Sequence, residues 1–313
     1  TAIDTLNHAG VDGAVVFNVQ AGTYIEQPTF GPIDGASATN TITFKGVEYN
    51  KDSVVLRYTP ANGTNYVVNI DGAQYLNFEW ITFLARGTGN YNNVVNIANA
   101  RQIRFKNDVI RVKGGLNNIN ASCLIVNDGV HALYIENSVL DSGYYSVRSM
   151  VTEYEGSEGV YLTNDTLRNF MFMGLYMRKV SDVYAVGNQI YTGARSNGKA
   201  LTGILVAQHN GPTTIERNTI TLNDNFTGAK TGIRLIDVNG SNATRSHIHN
   251  NMCAIYGGNN NSSAGISIDS STWINAYFNS CQVYVGTGSQ GRTSKAMYVG
   301  TTSSDIYLLN NIF

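Results

Sequence analysis

Residues 160–167, Val160-Tyr161-Leu162-Thr163-Asn164-Asp165-Thr166-Leu167, run apolar, any, apolar, any, Asn, any, and then apolar again. The same pattern recurs in Ile103-Arg104-Phe105-Lys106-Asn107-Asp108-Val109-Ile110 and in Leu133-Tyr134-Ile135-Glu136-Asn137-Ser138-Val139-Leu140. Looser copies centre on Asn188, Asn218, Asn250/Asn251, Asn279 and Asn310/Asn311, and Trp80 takes the Asn place in an earlier copy. Successive copies lie roughly 24 to 33 residues apart, the spacing of a stacked repeat in which no unit buries its apolar face alone.

From residue 67 onward each copy carries a second β-rich run. It appears as Val67-Val68-Asn69-Ile70, Val94-Val95-Asn96-Ile97 and Leu124-Ile125-Val126, then as Gly174-Leu175-Tyr176-Met177, Gly203-Ile204-Leu205-Val206, Gly232-Ile233-Arg234-Leu235, Gly265-Ile266-Ser267-Ile268 and Ala296-Met297-Tyr298-Val299. Alternation sends one set of side chains inward and the other outward. The leading Gly predicts a corner where the backbone bends sharply. Two or three short strands per copy, with no helices between them, predict coils stacked at about 4.8 Å. The repeat Asn then falls at a corner, where it tolerates the left-handed backbone region and its amide bonds the Asn of adjacent coils as a ladder. The chain therefore reads as all-β: a right-handed single-stranded parallel β-helix, a solenoid of about ten or eleven coils, its hand following the rule for parallel crossovers. Thr1 to Ala9 reads as a short helix with Ile3 and Leu6 on one face and Gly10 as its stop, a lid for one end of the stack. One domain is expected over residues 1–313, with the capping helix at 1–10 and coils at 14–313.

Composition narrows the function classes. Charged residues make up 14% of the 313, against about 25% on average, and the formal net charge is −1, so nothing marks a surface for nucleic acid or an anionic membrane. No apolar run approaches the roughly 20 residues of a membrane-spanning helix, so membrane insertion is not expected. Three cysteines cannot form a disulfide framework. Cys253 and Cys281 follow the repeat Asn at the place held elsewhere by Val109, Val139, Ile190 and Ile220, which predicts stacked core thiols; a disulfide or a metal site remains the alternative. The start at Thr1 without Met, and a last copy (Ile306-Tyr307-Leu308-Leu309-Asn310-Asn311-Ile312-Phe313) that stops inside a coil, predict a fragment of a longer multidomain chain. Its C-terminal end would be covered by further coils, a domain or a partner.

The Asn-centred copies with their Gly-Ile-x-Leu runs resemble the parallel β-helix repeat of pectin-active enzymes, other polysaccharide lyases and many bacterial surface proteins. The opening, Gly13-Ala14-Val15-Val16-Phe17-Asn18-Val19, Ala21-Gly22-Thr23-Tyr24 and Gly35-Ala36-Ser37-Ala38-Thr39-Asn40-Thr41-Ile42-Thr43-Phe44, is similar to the first coils of secreted right-handed parallel β-helix repeat proteins of the Bacteroidetes cell-surface type. The repeat resemblance covers nearly the whole chain and speaks for fold. The N-terminal one implies an extracellular or bacterial cell-surface location and leaves activity open.

Enzymes that share this repeat work on the outside of the helix. Polygalacturonase-like hydrolysis needs clustered Asp residues as acid and base, yet the chain has no Asn-Thr-Asp, Asp-Asp or Gly-His-Gly; Arg111-Val112-Lys113 resembles the Arg-x-Lys of that family without its partners. Pectate-lyase-like cleavage needs acidic ligands for calcium and an Arg or Lys base, and the acidic residues here are scattered. The candidates for such a site are Arg148, Glu153 and Glu155, beside Glu158, with Arg195 and Lys199 in what reads as the equivalent loop of a nearby coil. The competing reading is a solvated loop edge. His131, His209, His247 and His249 lack metal-ligand spacing, so no metal and no cofactor are expected, calcium entering only with the lyase alternative.

Outward positions are more informative. Between the two inward apolar residues of the repeat stand Arg104, Tyr134, Tyr161 and Tyr307, with Tyr184 in a copy whose register slips. In the second run the outward place holds Arg148, Tyr176, Arg234 and Tyr298. Such rows offer flat aromatic surfaces and hydrogen-bonding tips to a polysaccharide or a surface protein. Tyr is also a good strand former that stacks on its neighbours along a ladder. The function read from these rows is a non-catalytic adhesin or structural β-helix segment. Its alternative is a carbohydrate-active enzyme, a polysaccharide lyase acting on acidic polysaccharide.

Overall fold

The computed structural model describes residues 2–87, 90–113, 118–153, 156–193, 200–223, 228–256, 262–284 and 294–313. One coil shows the plan. His131–Glu136 lies on face A, Asn137 turns the corner, Val139–Asp141 lies on face B and Tyr145–Ser149 on face C, after which Ser157–Thr163 begins face A of the next coil. Among the described residues face A holds eleven strands and faces B and C ten each, every strand parallel to its neighbours. Faces A and C form one 21-stranded sheet because strands such as Leu201–Asn210 and Lys230–Asn239 run unbroken through the bend between them. Face B is a separate ten-stranded sheet. This is the right-handed parallel β-helix that the repeat predicts.

The core is built from inward positions that recur from coil to coil. Ile103, Leu133, Val160 and Val183 are in register and wholly buried. Phe17, Phe44, Phe78 and Phe105 form an aromatic column with successive ring centroids 4.7, 5.9 and 5.1 Å apart. Each such side chain contributes about 1.5–3 kcal/mol by leaving water, and stacking makes the buried surface continuous. At the N-terminal end the helix Ala2–Ala9 buries Leu6. Gly10, at φ 67°, donates its N–H to the Leu6 carbonyl at 3.0 Å and ends the helix. The last face A strand leaves Leu308 and Leu309 exposed, and Ile312 and Phe313 follow it equally exposed. Among the described residues no helix is long and apolar enough to cross a membrane.

The Asn corner divides between two residues the work that the sequence assigns to one. Asn107, Asn137, Asn164, Asn250 and Asn310 take the left-handed backbone conformation, with φ between 51° and 58°. The ladder runs through the residue after the left-handed one, which in three coils is Gly187, Arg217 or Phe278: Asp108, Ser138, Asp165, Asn188, Asn218, Asn251, Asn279 and Asn311. The N–H of each rung donates to the side-chain oxygen of the next, at 2.7–3.1 Å. The Asn rungs also donate Nδ2 back to a carbonyl one coil earlier, as Asn188 does to Leu162 at 3.2 Å. Buried backbone donors at the corner are thereby satisfied.

Two further expectations change in detail. Gly174, Gly203, Gly232 and Gly265 stack on one another without positive φ, so their role is close approach rather than a sharp bend. A Cβ on any of them would lie 2.5–2.6 Å from the carbonyl oxygen of the next coil. The same column makes room for the cysteines: the Cys253 and Cys281 sulfurs lie 2.9 Å from where Cβ atoms of Gly232 and Gly265 would be. Cys253 and Cys281 are buried neighbours in register with Ile220, and all three cysteines are free thiols. Their equivalents in earlier coils are Ile110 and Leu140, one residue beyond Val109 and Val139, because the rung residue adds one place to the corner.

Candidate ligand-binding site

Register settles which outward residues align. On face A the row is Asn77, Arg104, Tyr134, Tyr161, Tyr184, Thr214, His247, Asn275 and Tyr307, which places Tyr184 beside Tyr161. The Tyr134, Tyr161 and Tyr184 rings stack with centroids 4.8 and 4.9 Å apart and planes 10° and 19° from parallel. The Arg104 guanidinium covers the free side of Tyr134, 4.7 Å from its centroid, and donates to both Glu136 carboxylate oxygens at 2.7 and 2.9 Å. Desolvation by these neighbours raises the Tyr161 phenol, with the Tyr134 and Tyr184 phenols adding to it. The flat surfaces of Tyr134 and Tyr161 are therefore taken up by neighbouring rings and by the Arg104 guanidinium. What the ladder offers outward is ring edges and hydroxyls. Tyr307 stands apart, its ring under the Arg245 guanidinium at 4.2 Å.

On face C the outward row is Ile125, Arg148, Tyr176, Leu205, Arg234, Ser267 and Tyr298. Leu205 and Ser267 interrupt the Arg/Tyr series. Arg234 pairs with Asp269 at 3.8 Å, and Lys295 sits 4.1 Å over the Tyr298 ring.

The connections from face B to face C set Arg148 and Tyr176 apart from the rest of that row. Most of these connections are long, as at 113–121 and 192–200, but Asp141 reaches Tyr145 and Arg168 reaches Met173 in two successive short turns. There the chain places Tyr144, Tyr145, Met171, Phe172, Met173 and Tyr176 in a cluster separate from the solenoid core. Tyr144, Tyr145 and Met171 are buried, while Phe172, Met173 and Tyr176 are half-exposed above them. Phe172 packs 5.1 Å from Tyr144 and 5.7 Å from Tyr145, and Tyr176 lies 5.7 Å from Tyr145. Arg148 lies 5.0 Å from the Tyr145 ring centroid and donates to the Ile119 carbonyl at 3.0 Å, tying the 113–121 connection to the cluster. Burial pushes the Tyr145 phenol up to about 12 against the pull of Arg148, so it stays a hydrogen-bond donor at neutral pH.

Beside the cluster, face B carries an ionic group that the sequence reading passes over. Asp141 Oδ2 meets Arg111 Nε at 3.2 Å and Arg168 Nη2 at 3.0 Å. Its Oδ1 accepts from Asn169 Nδ2 at 2.8 Å and Ser142 Oγ at 3.1 Å. Burial works to raise this carboxyl, but Asn169, Arg168 and Arg111 outweigh it and hold it below the usual range. A hydrogen bond with Tyr191 and the Asp141 charge together raise Arg168. The signal was present in the sequence as a fixed offset: Arg111, Asp141 and Arg168 each follow their corner Asn by four residues.

The residues suggested for a lyase do not share a loop. The 150–156 connection with Glu153 joins face C to face A, whereas 192–200 joins face B to face C. They lie at opposite ends of face C strands such as the six-residue Met173–Arg178, roughly 20 Å long, so the two loops are not equivalent. Glu153 is exposed, and its segment is held by Asp128, which accepts from Thr152 N at 2.9 Å and Thr152 Oγ1 at 2.7 Å. Glu155, Arg195 and Lys199 lie outside the described residues. Among the described residues no three His, Cys, Asp or Glu side chains gather to hold a metal ion.

No family model matches the chain, and no curated protein matches it. Among solved structures, the Dettilon tailspike protein superposes on 95% of this chain with a TM-score of 0.55 and 12% identity. The chain spans about half of that tailspike, 55% of its length. A double mutant of the periplasmic alginate epimerase AlgG superposes on 99% of this chain, and on 88% of its own, with a TM-score of 0.50 and 11% identity. At these identities the likeness defines the class as a parallel β-helix.

Proposed function

We propose that this β-helix binds polysaccharide without cleaving it, as an extracellular or cell-surface protein, with the ligand on the aromatic cluster where faces B and C meet. The observation that carries the reading is the cluster itself: six aromatic and Met side chains gathered outside the core, with Phe172 and Tyr176 half-exposed beside Arg148. Aromatic surface next to a guanidinium suits the apolar face and hydroxyls of a sugar. One of the two similar folds is an alginate epimerase, named for a polysaccharide, which agrees with a glycan partner. Binding is favoured over cleavage because Asp141, the carboxylate nearest the cluster along the chain, is held by three hydrogen-bond donors and an ion pair with Arg111, and Glu153 lies at the far edge of face C. General acid–base chemistry needs a carboxyl within reach of substrate and free to exchange a proton.

The test is incubation with acidic and neutral polysaccharides, with and without calcium, reading both pull-down and the absorbance of unsaturated products. Retention without new absorbance is expected, weakened about tenfold in a Phe172→Ala/Tyr176→Ala variant that melts normally. Unsaturated products that disappear in Arg148→Ala would establish the lyase alternative instead. Neither retention nor cleavage would overturn the polysaccharide reading.

A further inference from the structure

Face B carries a net basic outward row. Its ten strands contain three arginines, Arg57, Arg111 and Arg168, and a single acidic residue, Asp141. The four belong to one outward row, in the order Arg57, Leu84, Arg111, Asp141, Arg168, each in register with the next. A guanidinium therefore recurs at every second coil, roughly 10 Å apart along the axis at the usual strand spacing. The lone carboxylate does not cancel the row at its surface. The Asp141 side chain is 10% exposed, while those of Arg111 and Arg168 are 39% and 34% exposed. Asp141 lies beneath and between them, so it fixes two guanidinium groups in place while cations face solvent. Arg57 is half-exposed, with no side-chain acceptor among the described residues.

We infer that face B is a seat for an anionic polysaccharide lying along the solenoid axis, with a carboxylate or sulfate on every second sugar docking on Arg57, Arg111 and Arg168. The inference rests on the polysaccharide reading above and names its substrate class. Spacing carries the argument: two sugar units of an extended chain span a length close to two coils, so a polymer with one acid group per disaccharide meets a guanidinium at each acid. Leu84 and the buried Asp141 occupy the intervening places, where a neutral sugar would lie. Guanidinium groups with free N–H edges are suited to bidentate recognition of carboxylate and sulfate.

The probes are hyaluronan and chondroitin, each with one uronate per disaccharide, their carboxyl-reduced derivatives, and polygalacturonate, with a uronate on every unit. The uronate polymers should be retained at least tenfold more tightly than their reduced forms, with a preference lost in high salt. Replacing Arg57, Arg111 and Arg168 by Gln should weaken uronate binding about threefold each and leave the reduced polymers unchanged. Asp141→Asn, which removes the one negative charge, should strengthen uronate binding severalfold if its melting temperature shows it folded. Equal retention of acidic and reduced polymers would overturn the anionic seat while leaving the aromatic site standing. Tighter binding of polygalacturonate than of hyaluronan and chondroitin would overturn the two-coil spacing. If no polymer is retained, the polysaccharide reading itself fails.

Discussion

Asp108 and Asp165 are rungs in a ladder that later coils build from Asn. Both are fully buried, and desolvation raises both carboxyls well above the ordinary range, opposed by backbone N–H donors and, at Asp108, by the Lys51 charge. Asp165 Oδ1 accepts the Ser138 N–H at 2.7 Å, but its Oδ2 is buried without a hydrogen-bond partner. An Asn in its place would present Nδ2 to the carbonyl of Ile135, as Asn188 does to Leu162. A carboxyl whose folded pKa is raised costs nothing below the unfolded value of about 3.9, and its cost grows as pH rises from there toward the folded value. Asp165→Asn should therefore leave stability unchanged near pH 3.5 and raise it increasingly toward pH 7, by about 1.4 kcal/mol for each pH unit climbed between the unfolded and the folded pKa. Thermal melts of variant and wild type across that range check it. An advantage independent of pH would mean that Asp165 is ionised in the fold. The two-residue corner was only half legible beforehand. Asn250-Asn251 and Asn310-Asn311 put the same residue in both places and hide which one turns and which one bonds.

Strands were the most legible elements, because apolar alternation sets which side chains enter the core and parallel stacking then aligns the rest. The outward rows of Tyr134 and Tyr161 and of Arg148 and Tyr176 follow from that rule. Their use does not, because ring orientation depends on the next coil rather than on local pattern. In the face A ladder each Tyr covers its neighbour, and aromatic pairs of this kind are worth about 0.5–1.5 kcal/mol each. Tyr161→Ala removes two pairs at once, so a loss of about 1–3 kcal/mol is expected in chemical denaturation, with polysaccharide retention unaffected. Lost retention at unchanged stability would return the ladder to the candidate site. The short turns bearing Tyr144 and Phe172 were invisible for a different reason. Connection length means little until register shows which coils are adjacent.

Across the described residues the strands of each coil pair only with those of the coil before and the coil after, so stability is close to a sum of units and interfaces rather than one global core. Leu162, 1% exposed, packs between Ile135 and Ala185. Leu162→Ala should cost about 2–5 kcal/mol locally. In native-state hydrogen exchange that cost should fall on the coils around it, from His131–Glu136 to Val180–Val186, while amides in Ile42–Gly46 and Ser280–Tyr284 keep their protection. Uniform loss across all three regions would show that the solenoid opens as one unit. The coils weakened in this way include those that carry Arg148, Arg168, Phe172 and Tyr176. A polysaccharide bound there should restore part of the lost protection, because a ligand that binds only the folded coils stabilises them by mass action. That recovery should be confined to the same coils. If it appeared only in distant coils, the ligand would have to lie elsewhere on the stack.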